Sequence, residues 1–377
     1  MAESKQQMAP KGLAGVVVDQ TTIADVQADG HLIYRGYGIE QLVERPWAEV
    51  AALVVDGTTP HNSEAWQPGT VGTGMGAELA EHCNLTPEEQ AIVGALPRGL
   101  HPMRVIQALC PALLPAIQAG QAQDTRAAGL YVAAKLPAVI LSYLHEQPML
   151  LNAELDDASR FLAALQQCAP EELDPTHVLA FNCAQVLQLE HSFNAGAFAA
   201  RVVASTLADV GAAFTAGFAA LSGPLHGGAD QAALQLVDTL PTADAIEAYV
   251  DEVLAEGGRL PGMGHREYRV RDPRAVFLER WAERLATAPQ HAETLWRLKT
   301  LDRVFRQRMQ ALGKEVHANV EFYKGLVYRV VGLPDEYFTA AFGMARVFGY
   351  LAHVVENNQD SRIYRPAAQY VGQSCAT

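Results

Sequence analysis

A chain of 377 residues is long enough for a large hydrophobic core and for two domains. Hydrophobic residues make up 49% of it and charged residues 19%, a composition typical of soluble globular proteins. The formal net charge of −14 argues against a general nucleic-acid binder and against a polybasic membrane anchor. An anionic ligand would therefore need a local cluster of arginines.

The five cysteines are scattered along the chain, and none forms a C-x-x-C pair. This spacing argues against a disulfide framework and a structural metal site, and it suits a reducing, cytoplasmic environment. The polar start MAESKQQMAPKG predicts no signal peptide. Residues 210–229 carry no charge but contain Gly, Pro and His, so we predict a buried helix there and no membrane span.

Strand-like alternation occurs only near the start, in GVVVDQTTIADV (residues 15–26) and GHLIYRGYG (residues 30–38). Helix signals dominate the rest of the chain. Capping residues precede apolar helical patterns at five places: Thr86, Asp174, Thr242, Asp272 and Thr339. Proline follows three of these residues, at the first helical position that it favours. The sequence therefore predicts an all-α protein with a small N-terminal β element.

The glycine-rich segment GTGMGA, residues 72–77, fits the dinucleotide-binding pattern G-x-G-x-x-A. That pattern indicates a nucleotide site only where it follows a buried strand within a βαβ unit. Here the polar sequence HNSEAWQPGT precedes it, and no alternation of strands and helices follows. We therefore predict a surface loop at this segment.

Four of the 12 histidines have unusual neighbours: His101, His191, His226 and His265. The stretch LSGPLHGGAD, residues 221–230, surrounds His226 with small residues that allow a ligand and the backbone to approach closely. An imidazole in such a place can donate a hydrogen bond or carry a proton. The alternative is a turn between two helices that contains a histidine.

The segment PGMGHREYRVRDPRA contains a histidine with two glycines before it and several arginines after it, of which we single out His265, Gly262, Gly264, Arg269, Arg271 and Arg274. Arg274 lies in the first turn of the helix predicted after Asp272. Backbone N–H groups at a helix start and guanidinium groups together make an anion site. The alternative is a solvated, basic helix start.

In NVEFYKG, the carboxylate of Glu321 stands between an apolar residue and an aromatic one. Such neighbours can desolvate a carboxylate, raise its pKa and make it a base. The alternative is a half-buried glutamate paired with a lysine or arginine. Two further arginines, Arg346 in GMARVFG and Arg365 in SRIYRPAAQYVG, look by themselves like ordinary surface residues.

Together these segments resemble the citrate synthase family. The N-terminal GLAGVVVDQTTIADV takes part in the resemblance, and seven further motifs follow in order: LHPMR, EHSFNAGAFAAR, GPLHGGAD, GMGHREYRVRDPRA, NVEFYKG, MARVFG and RPAAQYVG. Residues 62–85, which include the glycine-rich segment, do not resemble the family.

The resemblance implies a two-domain helical fold. The large domain would comprise residues 1–227 and 332–377, and the small domain residues 228–331. The implied reaction condenses acetyl-CoA with oxaloacetate and water to citrate and CoA. The coenzyme A thioester is then a co-substrate, and neither a metal nor a permanently bound cofactor is implied. The resemblance also implies a homodimer with shared active sites.

The resemblance assigns roles to single residues. Glu321 would remove a proton from the thioester methyl, His226 would stabilise the enolate oxygen as a neutral imidazole, and His265 would polarise the keto oxygen under attack. The residues that would hold the oxo acid are His191, Arg274, Arg346 and, reaching into the neighbouring subunit's site, Arg365. The residues expected at the coenzyme A site are Arg269, Gly262 and Gly264.

Two positions depart from the family pattern. The base is usually aspartate, in NVDF, where this chain has Glu321, and Gln188 stands where the family usually has a further histidine. A misplacement of about 1 Å can cost roughly a hundredfold in rate. Glu321 is therefore compatible with a shifted backbone, a slow enzyme, or a catalytically weak paralogue that binds oxo acid or CoA. A 2-methylcitrate synthase that uses propionyl-CoA is the other alternative, because one methyl group changes binding by only about 1–3 kcal/mol.

Overall fold

The structure is a computed structural model that describes residues 8–60, 66–114 and 124–373. Helices account for most of these residues, which confirms the predicted all-α class. The α-helices in the described ranges are α1 (Trp47–Asp56), α2 (Met75–Glu81), α3 (Pro87–Ala95), α4 (Pro102–Leu109), α5 (Thr125–Leu144), α6 (Asp157–Gln166), α7 (Pro175–Val186), α8 (Ala195–Ala204), α9 (Val210–Leu221), α10 (Ala229–Asp238), α11 (Ala243–Ala255), α12 (Pro273–Leu285), α13 (Pro289–Ala311), α14 (Val320–Val330) and α15 (Phe338–Gln359).

The N-terminal β element is a three-stranded antiparallel sheet. Its strands, in spatial order, are β1 (Ala24–Val26), β2 (Leu32–Tyr34) and β3 (Tyr37–Gly38). Tyr34 lies opposite Ala24 on one side and opposite Tyr37 on the other. The strand predicted from residue 15 is wrong for residues 15–23, which form no strand. Val17 there is 87% exposed, and an alternating pattern without a buried face does not hold a strand in place.

Four of the five predicted helix caps are confirmed. Thr86 forms a capping box with Glu89: its backbone N–H donates to Glu89 Oε2 at 2.7 Å, and the Glu89 N–H donates to Thr86 Oγ1 at 3.3 Å. Three other predicted caps also accept hydrogen bonds from first-turn N–H groups: Asp174, Thr242 and Asp272. The polar side chains at these positions therefore determine where α3, α7, α11 and α12 begin.

Two predicted boundaries differ from the structure. Thr339 does not cap α15, because a 3₁₀ turn over Asp335–Tyr337 leads directly into the helix and Thr339 lies inside it. The buried helix predicted within residues 210–229 is α9, which Asp209 caps and which ends at Leu221. A turn follows it, and α10 begins after Gly228, whose φ of 86° lies in the left-handed region that glycine adopts without strain.

Helix α15 is the central helix of the core, and it packs against α1, α5, α8 and α9. Tyr350 of α15 lies where Gly196 and Gly217 of the neighbouring helices leave room for its ring, and its hydroxyl donates to the Gly217 carbonyl at 3.2 Å. By length and composition, α5 and the segment Asp335–Gln359 could cross a membrane. Their apolar windows are 78% and 94% buried inside the protein, as expected of core helices.

Helices α10 to α14 form a second group, in which α14 packs against α10 and α12, and α11 packs against α13. Helix α7 contacts both α12 and α14, and so joins this group to the rest of the core. The predicted domain boundaries at 227/228 and 331/332 lie in the turns before α10 and after α14. The division into two domains stays a prediction.

Candidate active site

A cavity of about 770 Å³ lies where the segments before α8, α10, α12 and α14 meet helix α15. Seven of the residues singled out from the sequence line it: His191, His226, Gly264, His265, Arg274, Glu321 and Arg346. They come from distant parts of the chain, so folding alone brings them together. The cavity is therefore the candidate active site.

His226 lies in the turn between α9 and α10, where its backbone N–H donates to the Gly223 carbonyl at 2.9 Å. A Cβ at the next residue, Gly227, would collide with the carbonyl of Leu221, so glycine is required there. The Nε2 atom of His226 is buried, and it has no hydrogen-bond partner among the described residues. Burial, and then the charge of Arg346, lower the pKa of His226 to about 4. The imidazole is therefore neutral at neutral pH, with one nitrogen available to a ligand.

A short backbone bridge connects the segment before α12 to the segment before α14. Residues 262–264 pair with residues 317–319 through an isolated antiparallel bridge and two hydrogen bonds of 2.8 and 2.9 Å. Gly262 and Gly264 have φ values of 72° and 88°, which only glycine adopts readily. These glycines therefore shape the backbone that carries His265 into the cavity.

The ring of His265 is oriented by its own backbone. Its Nδ1 accepts the N–H groups of Glu267 at 3.1 Å and Tyr268 at 3.2 Å, which places the ring proton on Nε2. Nε2 lies 3.2 Å from Nη2 of Arg274. Burial, and then the charge of Arg274, lower the pKa of His265 to about 4, so the ring is neutral at neutral pH. Two donors thus face the same place, where an oxygen atom of a ligand would satisfy both.

Tyr268 contacts both His191 and His265, and the sequence analysis did not single it out. Its hydroxyl lies 3.1 Å from Nε2 of His191, and its ring centroid lies 4.5 Å from that of His265. The tyrosine is 3% exposed, and burial raises the pKa of its phenol above the usual range. Burial, and then Arg274, hold the pKa of His191 well below its usual value. The available signal was the place of Tyr268, three residues after His265 in HREYR.

Two guanidinium groups are buried in the cavity wall. Arg274, 3% exposed, donates to both carboxylate oxygens of Asp272. Arg346, 1% exposed, donates from Nε to the Gln188 carbonyl at 2.6 Å and lies 4.9 Å from the ring centre of Phe342. In the part of the chain that the structure describes, no carboxylate forms an ion pair with Arg346. A buried cation without an anionic partner is costly, so this site favours an anionic ligand.

Glu321 opens helix α14, and its backbone N–H donates to Oδ1 of the capping Asn319 at 2.9 Å. The glutamate is 6% exposed, and its Oε1 has no hydrogen-bond partner in the described ranges. Nζ of Lys324 lies 3.8 Å from that oxygen. Burial is the larger influence and raises the pKa of Glu321, while the charge of Lys324 opposes it. A carboxylate of raised pKa has the proton affinity that a general base needs.

The remaining candidates lie outside this cavity or only shape it. Arg269 and Arg365 are exposed, and neither lines the cavity of its own chain. Gly264 lines the cavity, whereas Gly262 supports the bridge behind it. Arg266, which the sequence reading passed over, lines the cavity and is exposed. The signal for Arg266 was its position directly after His265.

The comparisons with known proteins decide the family. The family model described as "Citrate synthase, C-terminal domain" matches residues 12–367. A citrate synthase of Synechocystis sp. is 35% identical over 372 residues, which cover 96% of this chain and 90% of that protein.

This chain belongs to the citrate synthase family. Membership confirms the predicted resemblance and makes the protein an acyltransferase of the citrate synthase type. Another relative is a 2-methylcitrate synthase of Shewanella oneidensis, 32% identical over 384 residues, covering 99% of this chain and 97% of that protein.

Solved citrate synthase structures share the fold. The crystal structure of the Thermotoga maritima enzyme matches with a TM-score of 0.83 and 28% identity, covering 98% of each chain. A second match is a ternary complex of the citrate synthase of Thermoplasma acidophilum. That structure contains carboxymethyl coenzyme A and oxaloacetate, and it matches with a TM-score of 0.84 and 26% identity over 97% of each chain.

Proposed function

We propose that this protein condenses acetyl-CoA with oxaloacetate and water to form citrate and CoA. The observation that carries the proposal is the composition of one cavity, which holds three neutral imidazoles, two buried guanidinium groups and one buried carboxylate. A dicarboxylic oxo acid suits the two arginines, Arg274 and Arg346, because guanidinium pairs with carboxylate in a bidentate geometry. Its keto oxygen suits the place that Nε2–H of His265 and Nη2 of Arg274 both face.

The first chemical step is proton removal from the thioester methyl. Glu321 accepts that proton, and the electron pair of the C–H bond moves toward the thioester oxygen. His226 donates a hydrogen bond to the developing enolate oxygen through its unpartnered nitrogen. A neutral imidazole suits this role, because the proton affinity of its nitrogen is close to that of the enolate oxygen. Its N–H can therefore donate a hydrogen bond to that oxygen and keep its proton.

The second step forms the carbon–carbon bond. The former methyl carbon attacks the keto carbon of oxaloacetate, and the keto oxygen becomes a hydroxyl by gaining one proton. The thioester methyl has lost one proton to Glu321 and the keto oxygen has gained one, so the condensation leaves the total number of protons unchanged. Water then hydrolyses the citryl thioester and releases the CoA thiol, and closure of the site around its substrates would exclude water until the bond has formed.

The coenzyme A thioester is a co-substrate, and its phosphates need positive charge at the mouth of the cavity. Arg266 lines the cavity and Arg269 lies three residues further along the same exposed segment. We assign both to the phosphate groups of coenzyme A. This assignment keeps the predicted role of Arg269 and adds Arg266 to it.

A homodimer in the cytoplasm is the proposed form of the enzyme. Arg365 is exposed, and within the described ranges its Nη1 donates to no acceptor except the neighbouring carbonyl of Pro366, at 3.2 Å. The same C-terminal segment exposes Ile363, Tyr370 and Val371, which are 64%, 78% and 87% accessible. Exposed apolar residues of this kind suit contact with a second copy, which would bring Arg365 to the other subunit's cavity.

Two alternatives remain for the acyl specificity and the rate. The relative from Shewanella oneidensis favours a 2-methylcitrate synthase, in which propionyl-CoA replaces acetyl-CoA. A catalytically weak paralogue is the reading that Glu321 alone suggests. A protein that only binds oxo acid or CoA would not need both His226 and His265 at the same cavity, where they lie.

Free thiol release under steady-state conditions tests the function. Acetyl-CoA and propionyl-CoA are each supplied with and without oxaloacetate, and we expect release only with oxaloacetate and faster release with acetyl-CoA. Arg346→Gln should raise the KM for oxaloacetate, whereas Arg329→Gln, at the far end of α14 and outside the cavity, should not. No release from folded protein would refute catalysis, and faster release with propionyl-CoA would establish the 2-methylcitrate alternative.

A further inference from the structure

Lys324 lies one helical turn after Glu321 on α14, and its side chain is completely buried. Its Nζ lies 3.0 Å from Oδ2 of Asp230 and 3.8 Å from Oε1 of Glu321. It also donates to Oε1 of Gln188 at 3.0 Å and lies 4.3 Å from the ring centre of Phe342. Buried ion pairs add little stability over apolar residues of similar size, so a charged cluster here calls for another explanation.

The cluster contains one ammonium group and two carboxylates. Asp230 is 0% exposed and Glu321 is 6% exposed, so water screens their charges poorly. Lys324 favours the ionised form of Glu321, whereas Asp230 favours its protonated form. A carboxylate between two opposing buried charges can exchange a proton near neutral pH, as a base must do in each turnover.

Gln188 holds Lys324 in place. Its amide nitrogen donates to the hydroxyl of Tyr328 and to the carbonyl of Ala184, both at 2.6 Å, so its Oε1 is left to accept from Lys324. The backbone carbonyl of the same residue accepts the Nε of Arg346. Both positions at which the sequence departs from the family pattern, Gln188 and Glu321, therefore lie beside this lysine.

On the basis of the proposed function, we propose that Lys324 and Asp230 are a positioning pair that orients the Glu321 carboxylate and balances its charge. Lys324 draws the longer glutamate side chain back toward its own helix, because the two groups are three residues apart on one helix face. Asp230 of α10 holds the ammonium group through its Oδ2 at 3.0 Å. Neither residue needs to touch the substrate.

Other groups also face Glu321, and the test must separate them. The charged and titratable groups that line the same cavity include Arg274 of α12, His226 before α10, His265 before α12 and Arg346 of α15. The ring centre of Tyr328 of α14 lies 5.7 Å from Nζ of Lys324. The backbone of Ala229 also stabilises the carboxylate from the start of α10. Helix α7 and the turn after it contribute the amides of Gln185 and Gln188, which do not titrate. Arg274 already pairs with Asp272, so Lys324 and Asp230 are the groups whose removal changes the local charge most directly.

The two single substitutions should move the activity in opposite directions along the pH axis. Lys324→Met removes the positive charge, so Glu321 keeps its proton to higher pH. The acid limb of the kcat/KM profile should therefore move to higher pH by about one pH unit or more. Asp230→Asn removes the negative charge, so the acid limb should move to lower pH. The double variant removes one charge of each sign, so the two opposing influences on Glu321 are lost together and its acid limb should return toward that of the unmodified protein.

A matched control is available in another buried ion pair. Lys135 of α5 is 2% exposed, pairs with Glu89, and does not line the cavity. Lys135→Met should lower thermal stability but leave the acid limb in place. If the acid limb shifts in both Lys324→Met and Lys135→Met, the shift comes from lost stability, and the proposal that Lys324 and Asp230 position Glu321 is refuted.

Carbon-13 titration of the glutamate carboxyl carbons supplies a readout that does not need activity, and Glu321→Gln identifies the signal of Glu321. If the unmodified protein releases no thiol, the proposed function fails, while the titration still decides the inference. If Lys324→Met does not fold, Asp230→Asn and the double variant decide it. Single variants that leave the Glu321 titration unmoved, or that shift it in the same direction, would overturn the proposal.

Discussion

The carboxylate of Asp272 holds the guanidinium of Arg274 through two hydrogen bonds, from Nε to Oδ1 at 3.0 Å and from Nη2 to Oδ2 at 2.9 Å. The same carboxylate caps α12 through the Arg274 N–H. Its Oδ2 also accepts the backbone N–H of Val320 at 3.1 Å, directly before Glu321. One buried carboxylate therefore connects the helix of Arg274, which we propose to bind the oxo acid, to the helix of Glu321, the proposed base.

Asp272→Asn should weaken oxaloacetate binding. An amide offers one oxygen where the carboxylate offers two, so Arg274 loses a charge-assisted hydrogen bond. A loss of about 1.5–3 kcal/mol corresponds to a KM for oxaloacetate raised roughly ten- to a hundredfold. Glu279→Gln on the same helix is the control, because Glu279 pairs with the partly exposed Arg271. A KM equal in both variants and in the unmodified protein would contradict this role of Asp272.

Glu321→Gln should reduce kcat by at least about a hundredfold, because general-base catalysis contributes roughly 10²–10⁴-fold. Oxaloacetate binding, measured separately by calorimetry, should change little. Glu321→Asp is the sharper probe: if the backbone has adapted to glutamate, the shorter side chain lowers the rate, and if it has not, the rate rises. Near-normal turnover of the glutamine variant would remove Glu321 from the mechanism.

The buried histidines make stability depend on pH. The pKa of His226 and that of His265 are both lowered from 6.5 to about 4 by burial, so between these pH values the unfolded chain binds protons that the folded chain does not. Stability therefore falls as the pH falls through this window, by about 1.4 kcal/mol per pH unit for each histidine. Urea unfolding from pH 7.5 to 4.5 should show a flatter dependence for His226→Gln than for the unmodified protein.

The control for this measurement is His31. It is exposed on the surface, and its hydrogen bond to Asp29 raises its pKa. Its proton is therefore bound more tightly in the folded state, and its contribution is lost as the pH rises through the raised pKa. His31→Gln should not flatten the acid side of the curve, and equal flattening by both variants would argue against a specific effect of the buried ring.

The dimer prediction concerns Arg365 and His226. If Arg365 serves the neighbouring subunit's cavity, each active site takes His226 from one subunit and Arg365 from the other. The substitutions Arg365→Ala and His226→Ala then affect different subunits of the same site. Mixing the two inactive variants, then unfolding and refolding them together, makes half of the dimers mixed, and one of the two sites in each mixed dimer is intact. We expect about a quarter of the unmodified activity to return. A mixture as inactive as its parents would show that Arg365 serves its own chain or only the surface.

Local sequence signals were enough for most of the helical framework. Thr86, Asp174 and Asp272 each act on the first turn of their own helix, so their effect depends on neighbours in the chain. The same kind of signal failed for residues 15–23, because a strand needs a partner and a buried face that the local pattern does not supply. It also failed at Thr339, where a preceding turn already starts α15.

The sequence by itself determined the family, the all-α class and most of the candidate side chains that line the cavity, because motif order and residue type are properties of the chain. Only the tertiary structure decided that Tyr268 joins His191 to His265 and that Lys324 lies between Asp230 and Glu321. These relationships depend on distances between segments far apart in the chain and on the exclusion of water between them. Burial, which shifts each of these proton affinities, exists only once the helices have packed.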